Sequence, residues 1–365
     1  MKILIIGNAN GLGGAQTAFR KLVDFALNEK GVEVGVISIT DQPDVPAQWN
    51  HLTMQRRLPF ASDSFPAKIG KQSHLLRIAM AARQFAPDVF ITVGLAQSAN
   101  MIARFLPQKT FTVAQDFICG RPADDPLLVA SAAAFDAIAV QAPAMVDALR
   151  QNGFTVRPVT WLPCFPEPPV AGVLHEQRRD QRSLRFAYFG RLAVNKGLVM
   201  LINALQRASF SMPVELHIWG SGPEENVIRE KITALGMGDR VQLRGRYPDG
   251  AESAQLMCGY DALLLTSTGT EGLPLILLEA MAYGLPFLAT DVGAIRDCCV
   301  ENPDVLLVPP DGAAVARGLG ELAGRIGVGE IQPERLRRHY QKHFSPAVMA
   351  DRWRAFLQNP ESFFA

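Results

Sequence analysis

The chain has 365 residues, 48% of them apolar and 19% charged. That balance excludes intrinsic disorder, which needs low hydrophobicity and high net charge, and at about 150 residues per domain the length implies two domains. Lys and Arg number 36 against 35 Asp and Glu, a formal net charge of +1, so no basic field of the kind that holds nucleic acid is present. The cysteines at 119, 164, 258, 298 and 299 show no Cys-x-x-Cys spacing and read as buried, reduced thiols of a cytosolic protein. The most apolar stretch, Leu127 to Val146, is interrupted by Asp136, Gln141 and Pro143 and falls short of the roughly 18 apolar residues of a membrane span. The apolar run at Met1–Gly7 is too short for a signal peptide.

Short apolar runs alternate with amphipathic stretches from the start. Lys2–Ile6, Val32–Ile39, Asp88–Val93, Thr110–Val113 and Ala137–Val140 read as strands, being runs of about four to eight residues, several rich in β-branched types. Between the first two, Phe19, Leu22, Val23, Ala26 and Leu27 fall at helical spacing, and Gly31 marks the stop. Residues 163–169, Pro-Cys-Phe-Pro-Glu-Pro-Pro, break the pattern, because proline suits neither a helix interior nor a central strand. The rhythm restarts at Arg185–Phe189 and continues through Val214–Trp219, Val241–Arg244, Ala262–Leu265, Pro286–Ala289 and Val305–Val308. Near the end, Ser345 and Pro346 open a helix whose stripe is Val348, Met349, Trp353, Phe356 and Leu357. The expected organisation is a domain at 1–165, a linker at 166–184, a second domain at 185–344 and a C-terminal helix at 345–365. Each domain is α/β with a mostly parallel sheet, and ligands of such sheets bind beyond the carboxyl ends of the strands, which suggests a cleft between the two.

Four loops carry the chemistry. Gly7 to Gln16 contains four glycines between a strand and a helix, where backbone N–H groups and a helix N-terminus suit a diphosphate; a tight turn explains it equally well. After the restarted strand, Gly190-Arg191 and Lys196-Gly197 leave the strand end together, and the two cations suit a pair of phosphates or a solvated basic loop. Gly220-Ser221-Gly222-Pro223 is again strand, turn, helix. The fourth, Thr266 to Pro286, is the most specific: Pro274 suits the first turn of a helix ending at Gly284, which puts Glu271 on the preceding loop and Glu279 inside the helix. Glu279 stands amid Ile276, Leu277, Leu278, Ala280 and Met281. A carboxylate there is costly unless paired, and two vicinal hydroxyls, as on a ribose, would satisfy it. The competing reading is a Glu at the helix margin, facing water.

These residues, in this order, resemble the retaining family 4 glycosyltransferases with the GT-B fold, two Rossmann-like doubly wound domains facing a central cleft. Gly13-Gly14 is similar to that family's N-terminal glycine pair, Gly190-Arg191 with Lys196-Gly197 to its G-R-x-x-x-x-K-G signature, Gly220 to Pro223 and Gly245 to its next landmarks, and Glu271 through Glu279 to its Glu-x-seven-Glu motif. Thr290-Asp291-Val292-Gly293 matches the loop that follows. The resemblance implies that Glu279 binds the ribose of a sugar nucleotide. Arg191 and Lys196, helped by the Gly14 backbone, would neutralise its diphosphate. Glu271 with the backbone of Gly272, Leu273, Pro274 and Leu275 would hold the donor sugar and β-phosphate, and Arg246 and Tyr247 would meet the base. It also implies that the last helix crosses back onto the first domain. One departure stands out: where the family commonly has a His after a first-domain strand, this chain has Gln115, which forms hydrogen bonds but does not titrate.

The expected function is therefore a metal-independent retaining glycosyltransferase, moving a sugar from a UDP-, GDP- or similar nucleotide sugar to a hydroxyl acceptor in glycan or glycolipid biosynthesis. No cofactor is expected. Glu271, Gln115, Arg191 and Lys196 are the catalytic candidates. Asp124-Asp125, before Pro126, reads as a surface turn rather than a metal site. With no cation, the leaving-group charge falls to Arg191, Lys196, helix N-termini and glycine backbone. A sugar-nucleotide epimerase of the same fold and a catalytically weak sugar-nucleotide-binding protein are the alternatives. Between residues 56 and 109 eight Lys/Arg (56, 57, 68, 71, 77, 83, 104, 109) stand against two acids, Asp63 and Asp88. That stretch suits peripheral contact with the inner face of an anionic membrane, or a solvated helix whose apolar face is core.

Overall fold

The computed structural model describes residues 1–9, 14–39, 49, 54–58, 65–176 and 183–364, with the backbone alone at 57–58 and 65–72. The chain divides into two compact units, Met1–Phe165 with Met349–Ala365, and Pro166–Val348.

The first unit begins β1 (Lys2–Gly7), α1 (Gly14–Asn28), β2 (Glu33–Ile39), β3 (Met54–Leu58), α2 (Phe65–Phe85), β4 (Val89–Val93) and α3 (Gln97–Phe105). It continues β5 (Phe111–Asp116), α4 (Pro126–Ala134), β6 (Ala137–Val140), α5 (Pro143–Gln151) and β7 (Val159–Trp161). All seven strands are parallel, in the order β3-β2-β1-β4-β5-β6-β7. β1 is central, and Ile3, Leu4, Ile5 and Ile6 are buried, which is why it reads as an unbroken apolar run. Two strands escape the sequence pattern. β3 is the polar segment Met-Gln-Arg-Arg-Leu at a sheet edge, where charged side chains discourage further pairing, and β7 has only three residues. β5 runs past the expected end at Val113, because Ala114, Gln115 and Asp116 pair with Ile138, Ala139 and Val140 of β6.

The second unit comprises β8 (Leu184–Phe189), α6 (Leu198–Arg207), β9 (Val214–Trp219), α7 (Glu225–Ala234), β10 (Val241–Gly245), α8 (Gly250–Cys258), β11 (Ala262–Leu265), α9 (Leu275–Tyr283), β12 (Phe287–Thr290), β13 (Leu306–Val308), α10 (Gly312–Gly327) and α11 (Pro333–His343). Its parallel sheet has the order β10-β9-β8-β11-β12-β13. The proline-rich segment before it does not hang free: the Val170 N–H donates to Tyr283 Oη at 3.2 Å and the His175 N–H to the Tyr283 carbonyl at 2.9 Å. Residues 177–182 of the expected linker lie outside the described residues.

The chain closes with α12 (Pro346–Gln358) and α13 (Pro360–Phe364). The Ser345 hydroxyl donates back to the Gln341 carbonyl at 3.0 Å. From Met349 onward the residues pack in the first unit. Trp353 is buried, its Nε1 donating to the Pro163 carbonyl at 2.8 Å, and the Arg352 guanidinium lies 3.6 Å from the centre of the Trp161 ring. Phe356 and Phe364 meet Phe111 of β5. Such aromatic contacts bury large apolar areas, enough to fix a terminal helix on a sheet laid down some two hundred residues earlier. Of the cysteines, Cys119, Cys164 and Cys298 are buried, Cys258 and Cys299 half-buried, and all five are free.

Candidate functional site

In the second sheet the chain leaves β8 toward β9 and leaves β11 toward β12, so strand order reverses between β8 and β11. Such a switch point opens a crevice at the carboxyl ends of the two strands. The loops bordering it are Gly190–Gly197 and Thr266–Pro274, and they are joined backbone to backbone: Thr268 N–H donates to the Asn195 carbonyl at 2.8 Å and Gly269 N–H to the same oxygen at 3.3 Å. Gly197 has φ +66°, and a Cβ there would stand 2.1 Å from the Thr266 carbonyl oxygen, so only glycine permits this approach. The loop after β12 joins in the same way. Gly293 has φ +58°, a Cβ on it would stand 2.1 Å from the Glu271 carbonyl oxygen, and the Ala294 N–H donates to that oxygen at 3.1 Å.

These contacts bring Lys196 and Glu271 together. The Lys196 ammonium pairs with Glu271 Oε1, and the Ser267 hydroxyl donates to the same oxygen. The two side chains are 22% and 12% exposed, sheltered enough to hold their geometry yet reachable by a ligand. Ser267 is itself fixed, since its carbonyl accepts from Thr290 Oγ1 at 2.6 Å. On the other flank Gly190 N–H donates to the Trp219 carbonyl at 3.1 Å and Gly220 N–H to the Gly245 carbonyl at 2.7 Å, so the ends of β8, β9 and β10 are tied in series. Arg191 is exposed, with its carbonyl accepting from Tyr188 Oη at 2.8 Å. Arg246 is exposed. Tyr247 is half-buried and set edge-on to Phe189, with centroids 5.3 Å apart.

Leu273 is buried and Gly272 and Leu275 are half-buried. Pro274 stands at the N-cap of α9, one residue earlier than its expected place in the first turn, and Gly284, with φ 82°, ends the helix as expected. Glu279 is half-buried on α9. Its charge is felt at three phenols: Tyr247, Tyr283 and Tyr340 are each pushed up, first by burial and then in part by Glu279. The half-buried carboxylate is therefore near enough to three phenols for its charge to act on them.

The remaining candidates belong to the first unit. Gly14 opens α1, and Gly13 lies outside the described residues. Gln115 is only 2% exposed, and its Nε2 donates to the Leu162 carbonyl at 2.9 Å. Its neighbour Asp116 is buried with Arg121, whose Nη1 also reaches Asp125 at 2.8 Å. Asp125 caps α4, accepting from the Leu127 and Leu128 N–H groups, while Asp124 is exposed. Among the described residues no three His, Cys, Asp or Glu side chains gather into a metal-binding group.

Sequence reasoning missed Asn195, Ser267 and Tyr340. The first two sit inside the motifs already singled out, but their roles depend on loops about 70 residues apart meeting. Tyr340 lies on α11, outside any motif.

Comparison with known proteins gives the following. Residues 183–324 match the family described as glycosyl transferases group 1. Over 103 residues the chain is 37% identical to the UDP-N-acetylglucosamine–peptide N-acetylglucosaminyltransferase GtfA subunit of Streptococcus gordonii, covering 28% of this chain and 19% of that protein. That stretch is about a fifth of the relative's length. The solved structure of the lipopolysaccharide outer core galactosyltransferase WaaB in its apo form is similar at a TM-score of 0.75 and 20% identity, over 99% of this chain and 100% of WaaB. Anabaena HepE, solved with UDP, is similar at a TM-score of 0.77 and 18% identity, over 98% of this chain and 100% of HepE. The fold is the GT-B fold of these enzymes.

A histidine within the second sheet gives this unit a pH dependence. His217, on β9, has Nδ1 3.0 Å from Tyr260 Oη and Nε2 3.2 Å from Arg244 Nη2. The guanidinium only donates, so Nε2 accepts and the ring is neutral, with Nδ1–H donating to the phenol. Burial, followed by the Arg244 charge, lowers its pKa from the ordinary 6.5; Arg185 acts in the same direction and Glu215 opposes. Below the ordinary value the unfolded chain binds a proton that the folded one resists, so stability is complete above pH 6.5 and falls as the pH drops through and below it. His339, also lowered, adds to the fall. In denaturant unfolding between pH 7 and pH 5, His217→Gln should lose visibly less stability than the wild type; an identical decline in both proteins counts against this account.

Proposed function

On the match of residues 183–324 to the group 1 glycosyl transferases, we propose that the chain is a retaining glycosyltransferase. It moves a hexose-type sugar from a nucleoside-diphosphate sugar to a hydroxyl acceptor in glycan or glycolipid biosynthesis. The observation that carries this reading is the Lys196–Glu271 pair at the strand switch point, with Glu279 on the helix that the same loop opens. HepE solved with UDP-glucose, and WaaB, named for transfer of galactose to lipopolysaccharide, support the donor class and the glycan setting.

In this reading Glu279 accepts hydrogen bonds from the two ribose hydroxyls. Lys196 and Arg191 meet the diphosphate, with the Gly190 and Gly220 backbones and the N-terminus of α9 adding positive potential. Arg246 and Tyr247 meet the base. Glu271, with the backbone from Gly272 to Leu275, holds the donor sugar and the β-phosphate. The acceptor oxygen attacks the anomeric carbon on the face that the phosphate leaves. The bond from that carbon to the phosphate oxygen breaks with its electron pair going to the phosphate, which takes the acceptor's proton. No side-chain base is required, so the non-titrating Gln115 is compatible with activity as a residue that positions the end of β5.

Charge stabilisation rests here on side-chain cations and oriented dipoles, which need no reorganisation as charge develops. Peripheral contact with the inner face of an anionic membrane belongs to the same reading. α2 and α3 contain no Asp or Glu. While Leu75, Ile78, Ala79 and Ala82 of α2 are core, Leu76 and Met80 are 44% and 54% exposed beside exposed Arg77 and Arg83. The Arg83 guanidinium reaches the carbonyl of Phe105, a further exposed apolar residue, at 2.9 Å. Lys68 and Lys71, whose side chains lie outside the described residues, extend the same helix. Among the described residues no helix is long and apolar enough to cross a membrane.

Glu279→Ala should weaken sugar-nucleotide binding about tenfold to a hundredfold in titration calorimetry, since hydrogen bonds to a charged group contribute about 1.5–3 kcal/mol. Gln115→Ala should leave that affinity nearly unchanged while lowering kcat; equal affinity in folded Glu279→Ala would remove the ribose assignment. Sugar transfer should survive EDTA, and a complete loss restored by Mn²⁺ or Mg²⁺ would overturn the charge account. Vesicle sedimentation should rise with the anionic lipid fraction, fall with salt and drop in R77E/R83E. Equal partitioning onto neutral vesicles would leave the basic face as ordinary solvated surface.

A further inference from the structure

We propose that Tyr340 is a positioning residue for Glu279, its phenol orienting the carboxylate when a ribose is bound. The inference rests on the ribose assignment above and adds to it a residue beyond the stretch that matches the glycosyl transferase family, which ends at residue 324.

The placement follows from how α11 lies on α9. At one end, Pro333 and Arg337 meet the C-terminus of α9: a Cβ on Gly284 would stand 2.9 Å from Pro333 Cβ and 2.5 Å from Arg337 Nη1, and Arg337 Nη1 donates to the Tyr283 carbonyl at 3.3 Å. Pro333, Arg337 and Tyr340 are spaced at four and three residues, so they share one helical face. Because α11 starts beside the C-terminal end of α9 and packs on that helix, the turn from Arg337 to Tyr340 leads toward the turn of α9 before Tyr283, which contains Glu279. The electrostatics agree: after burial, the Glu279 charge is the largest influence raising the Tyr340 phenol.

The second observation concerns the hydroxyl itself. Tyr340 is 2% exposed, and its Oη is, among the described residues, one of the few buried side-chain atoms without a hydrogen-bond partner. A buried hydroxyl left unpaired is unfavourable, and a phenylalanine would fill the same space without that penalty. The other phenol on this side, Tyr283, already accepts from the Val170 N–H. Tyr340 thus holds an unused donor on the helix packed against the one that carries the carboxylate proposed to grip the ribose. A carboxylate that accepts two ribose hydroxyls has lone pairs remaining, and a phenolic O–H directed at one of them fixes its rotamer.

Tyr340→Phe separates this role from a structural one, because deleting an unpaired hydroxyl removes no contact of the ligand-free protein. The expected result is a nucleoside-diphosphate affinity three- to tenfold weaker by calorimetry with UDP and GDP, and an unfolding temperature equal to or above that of the wild type. In a Glu279→Gln background the same substitution should change affinity less than twofold, since the amide no longer requires the orienting donor. Wild-type affinity in Tyr340→Phe, with Glu279→Ala still weak, overturns the positioning role while leaving the ribose assignment in place. So does a lowered unfolding temperature with unchanged affinity, which would make the hydroxyl structural. If Glu279→Ala itself binds normally, the ribose assignment falls, and this proposal with it.

Discussion

Everything at the candidate site depends on three loop backbones approaching more closely than any side chain allows. The loops after β8, β11 and β12 are bonded through main-chain groups, and at Gly197 and Gly293 a Cβ would stand 2.1 Å from a carbonyl oxygen of a neighbouring loop. Both glycines also hold positive φ, which L-residues with a Cβ rarely adopt. This constraint seats Lys196 against Glu271 and sets the Ser267 hydroxyl on the same carboxylate oxygen. With both side chains largely out of water, each charge relies on the other, and losing one partner would leave the other uncompensated. A ligand that enters there meets a cation already held in place, so little side-chain ordering remains to oppose binding.

Charge is distributed with similar economy. The net charge is only +1, yet α2 and α3 contain no acidic residue, so positive charge is gathered on these two helices without raising the total. In the second unit the acidic groups go to structure as well as to the site. Asp304 is fully buried and accepts the Arg335 guanidinium and the Gln332 N–H, which secures the start of α11. That is the helix that carries Tyr340. The stability of a half-buried ion pair and the placement of a phenol about one and a half turns away are thus linked through one rigid element, as α-helical geometry requires.

Much of the fold was legible because buried parallel strands leave apolar runs: β1, β6, β9 and β11 read almost residue for residue. The misses are short or polar segments, β7 having only three residues. β3 is polar because it is an edge, and β5 ends in Gln115 and Asp116, which face structure rather than solvent. Periodicity detects apolar burial only, so polar residues buried through hydrogen bonds are invisible to it. The aromatic stripe of α12 was legible as a stripe, but its partners Pro163, Trp161 and Phe111 were not.

The sequence by itself determined the two-part α/β organisation, the glycine-rich strand ends and the spacing from Glu271 to Glu279, because each is written in neighbouring residues. It also kept open whether Glu279 faced water or a ligand. The tertiary structure makes Glu279 half-buried, with its charge felt at Tyr247, Tyr283 and Tyr340, and only it joined Lys196 to Glu271 and fastened Gln115 to Leu162. These partners are separated by tens of residues along the chain. Their meeting is set by the order in which strands pair and by the register in which helices pack, quantities that no local pattern of residue types contains.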